Sequence, residues 1–341
     1  PHHIVKPLAA MGAFRYGYDE TREFENSAIF RGFATLEVAR VDASVGTFVG
    51  VHSGLAMGSV ALCGSIAQRE EWLPKMASGD VIGCFAMTEP EHGSDVAGGM
   101  ATTARREGDE WVLNGAKRWI GLATLADICI LWAMTDEGVR GFIVPTDTPG
   151  FTATAIEGKL SMRASIQCDI ELTNVVLPAD ALLPNAKGLS GPFGCLNEAR
   201  YGIIWGAMGA ARACLDAAIT RSKDREVFGK PIGSFQLTQA KLADMTLEYE
   251  KGVLLALHIG RQKDAGTLNI AQISVGKLNS VREALKIARE ARTILGGDGI
   301  TGEFPVMRHM ANLESVRTYE GTDEIHQLVI GRALTGLNAF S

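Results

Sequence analysis

The chain has 341 residues, of which 46% are apolar and 21% charged, with a formal net charge of -6 and six cysteines. That composition is globular and supplies a large core, enough for two or three packed units, which excludes a disordered chain. The mild negative charge argues against a general nucleic-acid binder, and the cysteines, scattered singly with no CxxC, give no disulfide framework and no zinc ribbon.

The chain opens Pro1-His2-His3 without a methionine, which reads as a chain lacking an N-terminal piece. Residues 26–79 read as helical. Ile29, Phe33, Leu36, Val38 and Val41 form a rough apolar stripe, continued by Leu55, Val60 and Leu62, and Pro74 is the expected stop. The texture changes near residue 84. Trp111-Val112-Leu113 runs into Asn114-Gly115, which predicts a hairpin turn. The segments at 127–132, 141–145, 151–155 and 169–172 have strand length, so an all-β insert of about 100 residues is expected. Helix returns after Pro192. Residues 200–222 are Ala-rich, with Gly202, Gly206 and Gly209 allowing close helix approach. Further helices are expected at about 236–264, 274–295 and 323–334, a helix bundle. In the third of these, Val275, Leu278, Val281, Leu285, Ala288 and Leu295 form the expected apolar face.

Gly297-Asp298-Gly299-Ile300-Thr301-Gly302 matches GxGxxG. A dinucleotide fingerprint needs a strand before it and a helix opening on its glycines. Here a helix precedes it, so the expectation is a glycine C-cap and a loop. No apolar run is read as long enough to span a membrane, no signal peptide is read, and the histidines lack HxxxH and HExxH spacing. A soluble protein of a reducing compartment is expected, without membrane insertion or nucleic-acid binding. It would be cytoplasmic if bacterial, with a mitochondrial matrix or peroxisomal location also open.

Four segments carry a specific resemblance. They are Phe85 to Asp95 (Phe-Ala-Met-Thr-Glu-Pro-Glu-His-Gly-Ser-Asp), Lys117-Arg118-Trp119-Ile120-Gly121, Asp224 to Pro231 with Phe235-Gln236, and Leu295-Gly296-Gly297-Asp298-Gly299 followed by Tyr319-Glu320-Gly321-Thr322-Asp323-Glu324. In order and spacing the chain resembles the acyl-CoA dehydrogenase family over essentially its whole length. The segment 189–202 and the tail resemble the glutaryl-CoA dehydrogenase branch. The N-terminal half, through 39–48 and 119–121, is at least as similar to plant short-chain acyl-CoA oxidases.

The resemblance implies an α+β fold: a helical N-terminal domain (1–82, abbreviated here), a middle β-barrel or sandwich domain (83–188) and a C-terminal four-helix bundle (189–341). It implies FAD as cofactor and Glu320 as the base that removes the proton α to a thioester. A carboxylate suits this step because it is ionised at working pH, and burial raises its pKa toward the range a base needs. Residues implied to hold FAD are Phe85, Met87, Thr88, Gly93, Ser94, Trp119, Ile120 and Gly121. Arg225, Phe228, Gln236, Thr293, Leu295, Gly296 and Gly297 are implied to reach the FAD of a neighbouring subunit, and Thr322 and Glu324 its adenosine half. Ser94, Phe193, Asn197, Arg200, Tyr319 and Gly321 are implied to face the substrate. Implied partners are the acyl-CoA substrate, a homotetramer built as a dimer of dimers, and an electron-transfer flavoprotein.

Two departures bear on substrate and acceptor. The family arginine that reads the distal carboxylate of glutaryl-CoA is matched by Gly46, and a nearby family glutamate by Ala39, so a short or medium monocarboxylic acyl-CoA is expected without decarboxylation. The threonine common beside the flavin is matched by Gly121, as in the plant oxidase. The expectation there is open space near the flavin, with oxygen as an alternative acceptor. A flavin-free binding or scaffold member is a third reading, opposed by the retention of Glu320 and the FAD segments.

Overall fold

The computed structural model describes residues 2–339, apart from the side chain of Ala97. The chain divides into two compact units, Pro1–Asn26, Thr47–Lys159 and Ala164–Ala199 in one, and Ser27–Gly46, Leu160–Arg163 and Arg200–Ser341 in the other.

Helices α1 (His2–Ala10), α2 (Ala28–Val41) and α3 (Ala43–Val49) open the chain. A π-helical stretch, Gly50–Met57, joins α3 to α4 (Gly58–Cys63), and α5 spans Ile66–Ala77. Ser65 and Gln68 form a capping box at the start of α5. Pro74 does not stop α5, which runs three residues further. In the last turn a proline forfeits one hydrogen bond without ending the helix, and Ser78 N bonds Pro74 O at 3.1 Å.

The first unit is built on a seven-stranded sheet. Its strands are β1 (Gly83–Ala86), β2 (Thr103–Glu107), β3 (Glu110–Gly121), β4 (Ile128–Thr135), β5 (Gly138–Pro145), β6 (Phe151–Ala155) and β7 (Gln167–Pro178), with a single helical turn α6 (Val96–Gly99) before β2. The order is β1-β4-β2-β3-β7-β6, with β5 also on β4. β1 and β4 are parallel, and β3–β7 and β4–β5 antiparallel. Fully buried Trp132, Phe142 and Leu113 centre the core.

Asn114-Gly115 is not a turn. It lies within β3 at a register shift, and the hairpin turn falls at Gly108–Asp109 between Glu107 and Glu110. Gly115 takes φ 146°, and a Cβ there would meet Thr102 Cα at 2.7 Å, so both the backbone and the close approach require glycine; the Asn114 side chain bridges to Asn174 across the sheet. The dipeptide therefore serves a bulge.

The long helix α7 (Ser190–Asp224) begins in the first unit and from Arg200 onward belongs to the second, which also holds α8 (Gln236–Asp264), α9 (Ile270–Leu295), α10 (Val306–Thr318) and α11 (Asp323–Thr335), with the two-stranded hairpin β8 (Glu226–Val227) and β9 (Lys230–Pro231) after α7. In the second unit α2 packs along α7 through small residues. A Cβ on Gly209 would strike the Leu36 carbonyl, and one on Gly206 would touch Ala39 at 3.4 Å. The buried face of α2 is accordingly Ala28, Gly32, Leu36 and Ala39, and the expected stripe is displaced, with Phe33 and Val41 exposed. Gly296 caps α9 at φ 65° and a 3₁₀ turn follows, so the GxGxxG match is a helix end.

Two helical stretches, Ala43–Cys63 and Ser190–Asp224, are long and apolar enough to cross a membrane by length and composition, contrary to the sequence expectation. Their apolar residues are largely spent on packing. Val60, Met57 and Leu55 lie in the core of the first unit, and Ile204, Trp205 and Met208 in that of the second.

Candidate active site

Glu320 follows α10, whose C-cap is Tyr319, and precedes α11, which Thr322 caps by accepting from Ile325 N. The connection is tight, and Glu320 takes φ 53° with Gly321 at 99°. A left-handed conformation is unfavourable for a residue with a Cβ and persists only where its surroundings enforce it. The enforcing contacts are cationic. Arg200 Nε donates to the Glu320 carbonyl at 2.8 Å, and Lys277 Nζ donates to the carbonyls of Tyr319 at 2.8 Å and Gly321 at 2.5 Å.

The residue as a whole is half-buried, but its Oε2 atom is buried and has no hydrogen-bond partner. Burial pushes the carboxyl up to about 7, against the opposing charges of Arg200 and Lys277. Burial also pushes the Lys277 ammonium down to about 8. Asp323, just beyond, accepts from both Arg282 Nε and Arg317 Nε at 2.9 Å and fixes the start of α11. A buried carboxyl with a raised pKa and an unpartnered oxygen is what a general base needs. Tyr319, Gly321, Thr322 and Arg200 lie in the same cluster, all half-buried, and Glu324 is exposed on the first turn of α11.

The implied cofactor residues of the first unit lie on β1, the loop after it, and β3. Phe85, Met87 and Ile120 have buried side chains, so only their main chain is available to a ligand. Thr88, Gly93 and Ser94 are half-buried or exposed. The loop is pinned by a buried ion pair that sequence reasoning did not single out. The Glu89 carboxylate accepts from Ala101 N at 2.6 Å, Thr102 N at 2.9 Å and Lys117 Nζ at 2.8 Å, and Lys117 also donates to the Met87 carbonyl at 3.0 Å. Burial opposes ionisation of Glu89, but these donors hold its carboxyl below the usual range.

Trp119 sits at a register shift of β3 with φ 63°, and its side chain is 52% exposed with the Arg118 guanidinium 5.2 Å from the ring. It is no core tryptophan. An exposed indole held at a strained bulge, beside an open Gly-Ser loop, fits a cofactor with a planar ring and an anionic tail. The space expected at Gly121 is narrow: a Cβ there would meet Val51 Cγ2 at 3.2 Å, a tight contact that a small shift of Val51 would relieve.

Phe193 and Asn197 are half-buried on the first-unit part of α7. Arg225, Phe228 and Gln236 gather around the β8–β9 hairpin, all exposed. Phe228 and Gly229 form its tip at φ 52° and 76°, and the Phe228 side chain is 95% exposed. Thr293, Gly296 and Gly297 are exposed at the end of α9, whereas Leu295 is buried.

Three family profiles match in sequence: the acyl-CoA dehydrogenase N-terminal domain over residues 1–80, the middle domain over 84–175 and the C-terminal domain over 186–335. The short-chain specific mitochondrial acyl-CoA dehydrogenase of Bos taurus is 38% identical over 300 residues, 86% of this chain and 73% of that one. The chain belongs to the acyl-CoA dehydrogenase family. Members of this family are FAD-dependent oxidoreductases.

Among solved structures, a glutaryl-CoA dehydrogenase from Mycobacterium smegmatis is 55% identical with a TM-score of 0.97, covering 100% of this chain and 88% of that one. A glutaryl-CoA dehydrogenase from the same organism in complex with FADH2 is 52% identical, with the same TM-score and coverage. The acyl-CoA dehydrogenase fold, with helical N- and C-terminal regions and a curled sheet, is therefore as the sequence implied. Sequence reasoning passed over Lys277, Lys117 and Glu89 as sites. A lysine or glutamate inside a motif or a helix reads as solvated, and only burial reveals otherwise.

Proposed function

We propose that this chain binds FAD and oxidises a short or medium monocarboxylic acyl-CoA to the trans-2-enoyl-CoA, with electrons leaving to an electron-transfer flavoprotein. The observation that carries the reading is the Glu320 carboxyl. It is buried, raised to about 7, and held in a left-handed turn between Arg200 and Lys277 with one oxygen unpartnered. Glu320 takes the proton from the carbon α to the thioester, and its main-chain N–H contributes to polarising the thioester carbonyl. FAD, when bound, accepts the hydride from the β-carbon. The loop holding Thr88, Gly93 and Ser94, with Trp119 on its bulge, would receive the flavin, and the Glu89–Lys117 pair keeps that loop in shape.

Arg225, Phe228 and Gln236, with Thr293, Gly296 and Gly297, are proposed to reach the FAD of a neighbouring subunit in a homotetramer. An exposed phenylalanine at a hairpin tip supports this, since such a side chain gains from a partner's surface. The ligand would then stabilise the assembly by mass action.

A second reading, glutaryl-CoA as substrate with decarboxylation, is favoured by the name of the 55% identical Mycobacterium smegmatis structure. Gly46 beside Ala39 favours the monocarboxylic reading. The oxidase reading keeps its support from the side chain missing at Gly121, although Val51 narrows the room beside it.

The test is anaerobic. Purified protein should be yellow, with a flavin band near about 450 nm, and butyryl-CoA should bleach it in the wild type but not in Glu320→Gln. A colourless protein that does not take up FAD, or equal bleaching in the variant, overturns the reading.

A further inference from the structure

Lys277 lies on α9 and is 1% exposed, an unusual place for an ammonium. Its Nζ approaches the carbonyls of Tyr319 at 2.8 Å, Gly321 at 2.5 Å and Arg317 at 3.5 Å. The first two flank Glu320, and the third belongs to the last turn of α10, where helix carbonyls lack intrahelical partners. An ammonium has three N–H donors, and here three carbonyls converge on it.

The charged and titratable groups around it come from every packed element. Arg200 on α7 and Glu320 face it, as do Asp323 and His326 on α11. Arg282 on α9 and Arg317 on α10 are engaged with Asp323. His326 is buried, with Nδ1 3.0 Å from Ser274 Oγ, and burial with the two nearby cations pushes it down to about 3, so it is neutral.

We propose that Lys277 is a positioning residue for the reaction: one buried ammonium ties the carbonyls on both sides of Glu320, fixes the left-handed turn that aims the carboxyl, and places a positive charge beside it. A neutral cap could satisfy the carbonyls equally well. The charge is what a purely structural role would not require. The inference rests on Glu320 being the base.

The experiment is the pH profile of kcat for the FAD-loaded enzyme with saturating butyryl-CoA and an artificial electron acceptor. The wild type should show an acidic limb as Glu320 ionises and a basic limb as Lys277 loses its proton, the two being values of the coupled pair. Lys277→Gln keeps donors and removes the charge. Its acidic limb should move up by about one pH unit or more, because loss of a nearby cation makes the carboxyl harder to ionise. Its basic limb should vanish, and its plateau kcat should fall about tenfold or more with KM little changed. Lys277→Arg keeps a charge that does not titrate in this range, so its acidic limb should stay in place while its basic limb disappears.

An unmoved acidic limb in a folded, yellow Lys277→Gln overturns the proposal. So does a basic limb that survives in Lys277→Arg. If neither variant folds, a wild-type profile without a basic limb overturns it. Activity retained by Glu320→Gln would instead topple the functional reading, which is a separate outcome.

Discussion

Arg200 holds Glu320 by its main chain, with Nε 2.8 Å from the Glu320 carbonyl oxygen, while its charge restrains the rise of the same residue's carboxyl. One guanidinium thus acts on both the direction and the acidity of the proposed base. Burial in turn lowers the pKa of Arg200, although the Glu320 charge offsets part of that effect. The consequence is a carboxyl poised near neutrality rather than one that is fully ionised or fully neutral.

Replacing Glu320 by Gln should leave the fold and the flavin in place and remove nearly all turnover, because an amide cannot accept the α-proton. Loss of a general base costs on the order of 10²–10⁴ in rate. Steady-state kcat, with flavin absorbance measured on the same sample, checks this. The wild-type kcat should fall on the acid side of about pH 7, where Glu320 gains its proton.

The same carboxyl makes stability depend on pH. The folded state raises it from the ordinary 4.5 to about 7, mainly by burial, and so favours the neutral form. Its contribution to stability is fully present below pH 4.5 and is lost as pH rises toward 7. A shift of that size corresponds to about 3 kcal/mol. Glu320→Gln cannot ionise, so its Tm should match the wild type at about pH 4 and exceed it at about pH 8. Equal Tm values at both pH values would mean that the carboxyl is not held in a costly state. The base is expected to sacrifice stability for function, as strained active sites do.

The Glu89–Lys117 pair is almost wholly inaccessible to solvent, and removing one partner leaves the other as a buried, uncompensated charge. Lys117→Met should destabilise the first unit by about 3–5 kcal/mol. It should also weaken FAD retention, since Lys117 ties Met87 and Glu89 while Glu89 ties Ala101 and Thr102. Thermal unfolding and flavin content after gel filtration report the two effects separately. A normal Tm with normal flavin content would show that the loop is held by something else.

The helices α8 and α11 were legible because their lengths and ends follow from composition and breakers. The expected 236–264 coincides with Gln236–Asp264. Helix α10 was not legible, since its buried face is Val306, His309, Asn312, Leu313 and Val316 and two polar residues interrupt the apolar period. On α9 the expected face holds at Val281, Leu285, Ala288 and Leu295, which are buried, and fails only near the start of the helix, where Val275 is exposed and Ser274 with Lys277 lies inside, next to the polar contacts of the Glu320 turn. The proposed base came from motif likeness. Its support by Lys277 could be found only in the fold, because a carbonyl-binding lysine has no sequence signature. Asn114-Gly115 misled for a related reason: the dipeptide favours positive φ, and a bulge can use that as well as a turn can.

The substrate tail is the point on which the monocarboxylic and glutaryl readings divide. Gly46 on α3 stands beside Ala39 on α2, and a Cβ built on Gly46 would lie 3.5 Å from the Ala39 Cβ, an ordinary contact. Neither residue offers a cation. Two cations close in sequence and space are already engaged: Arg40 with Glu37 at 2.9 Å, and Arg308 with Asp42 at 3.3 Å. A distal carboxylate placed here would lose its hydration without a partner. The wild type should therefore favour butyryl-CoA over glutaryl-CoA in kcat/KM by roughly two to four powers of ten. Gly46→Arg should recover part of the glutaryl-CoA activity, because the contact distance at this position accommodates a side chain. Measured on the unmodified enzyme, a preference for glutaryl-CoA would mean that another residue reads the carboxylate. The match of Gly46 to the family arginine would then fail, while the role of Glu320 would stand untouched.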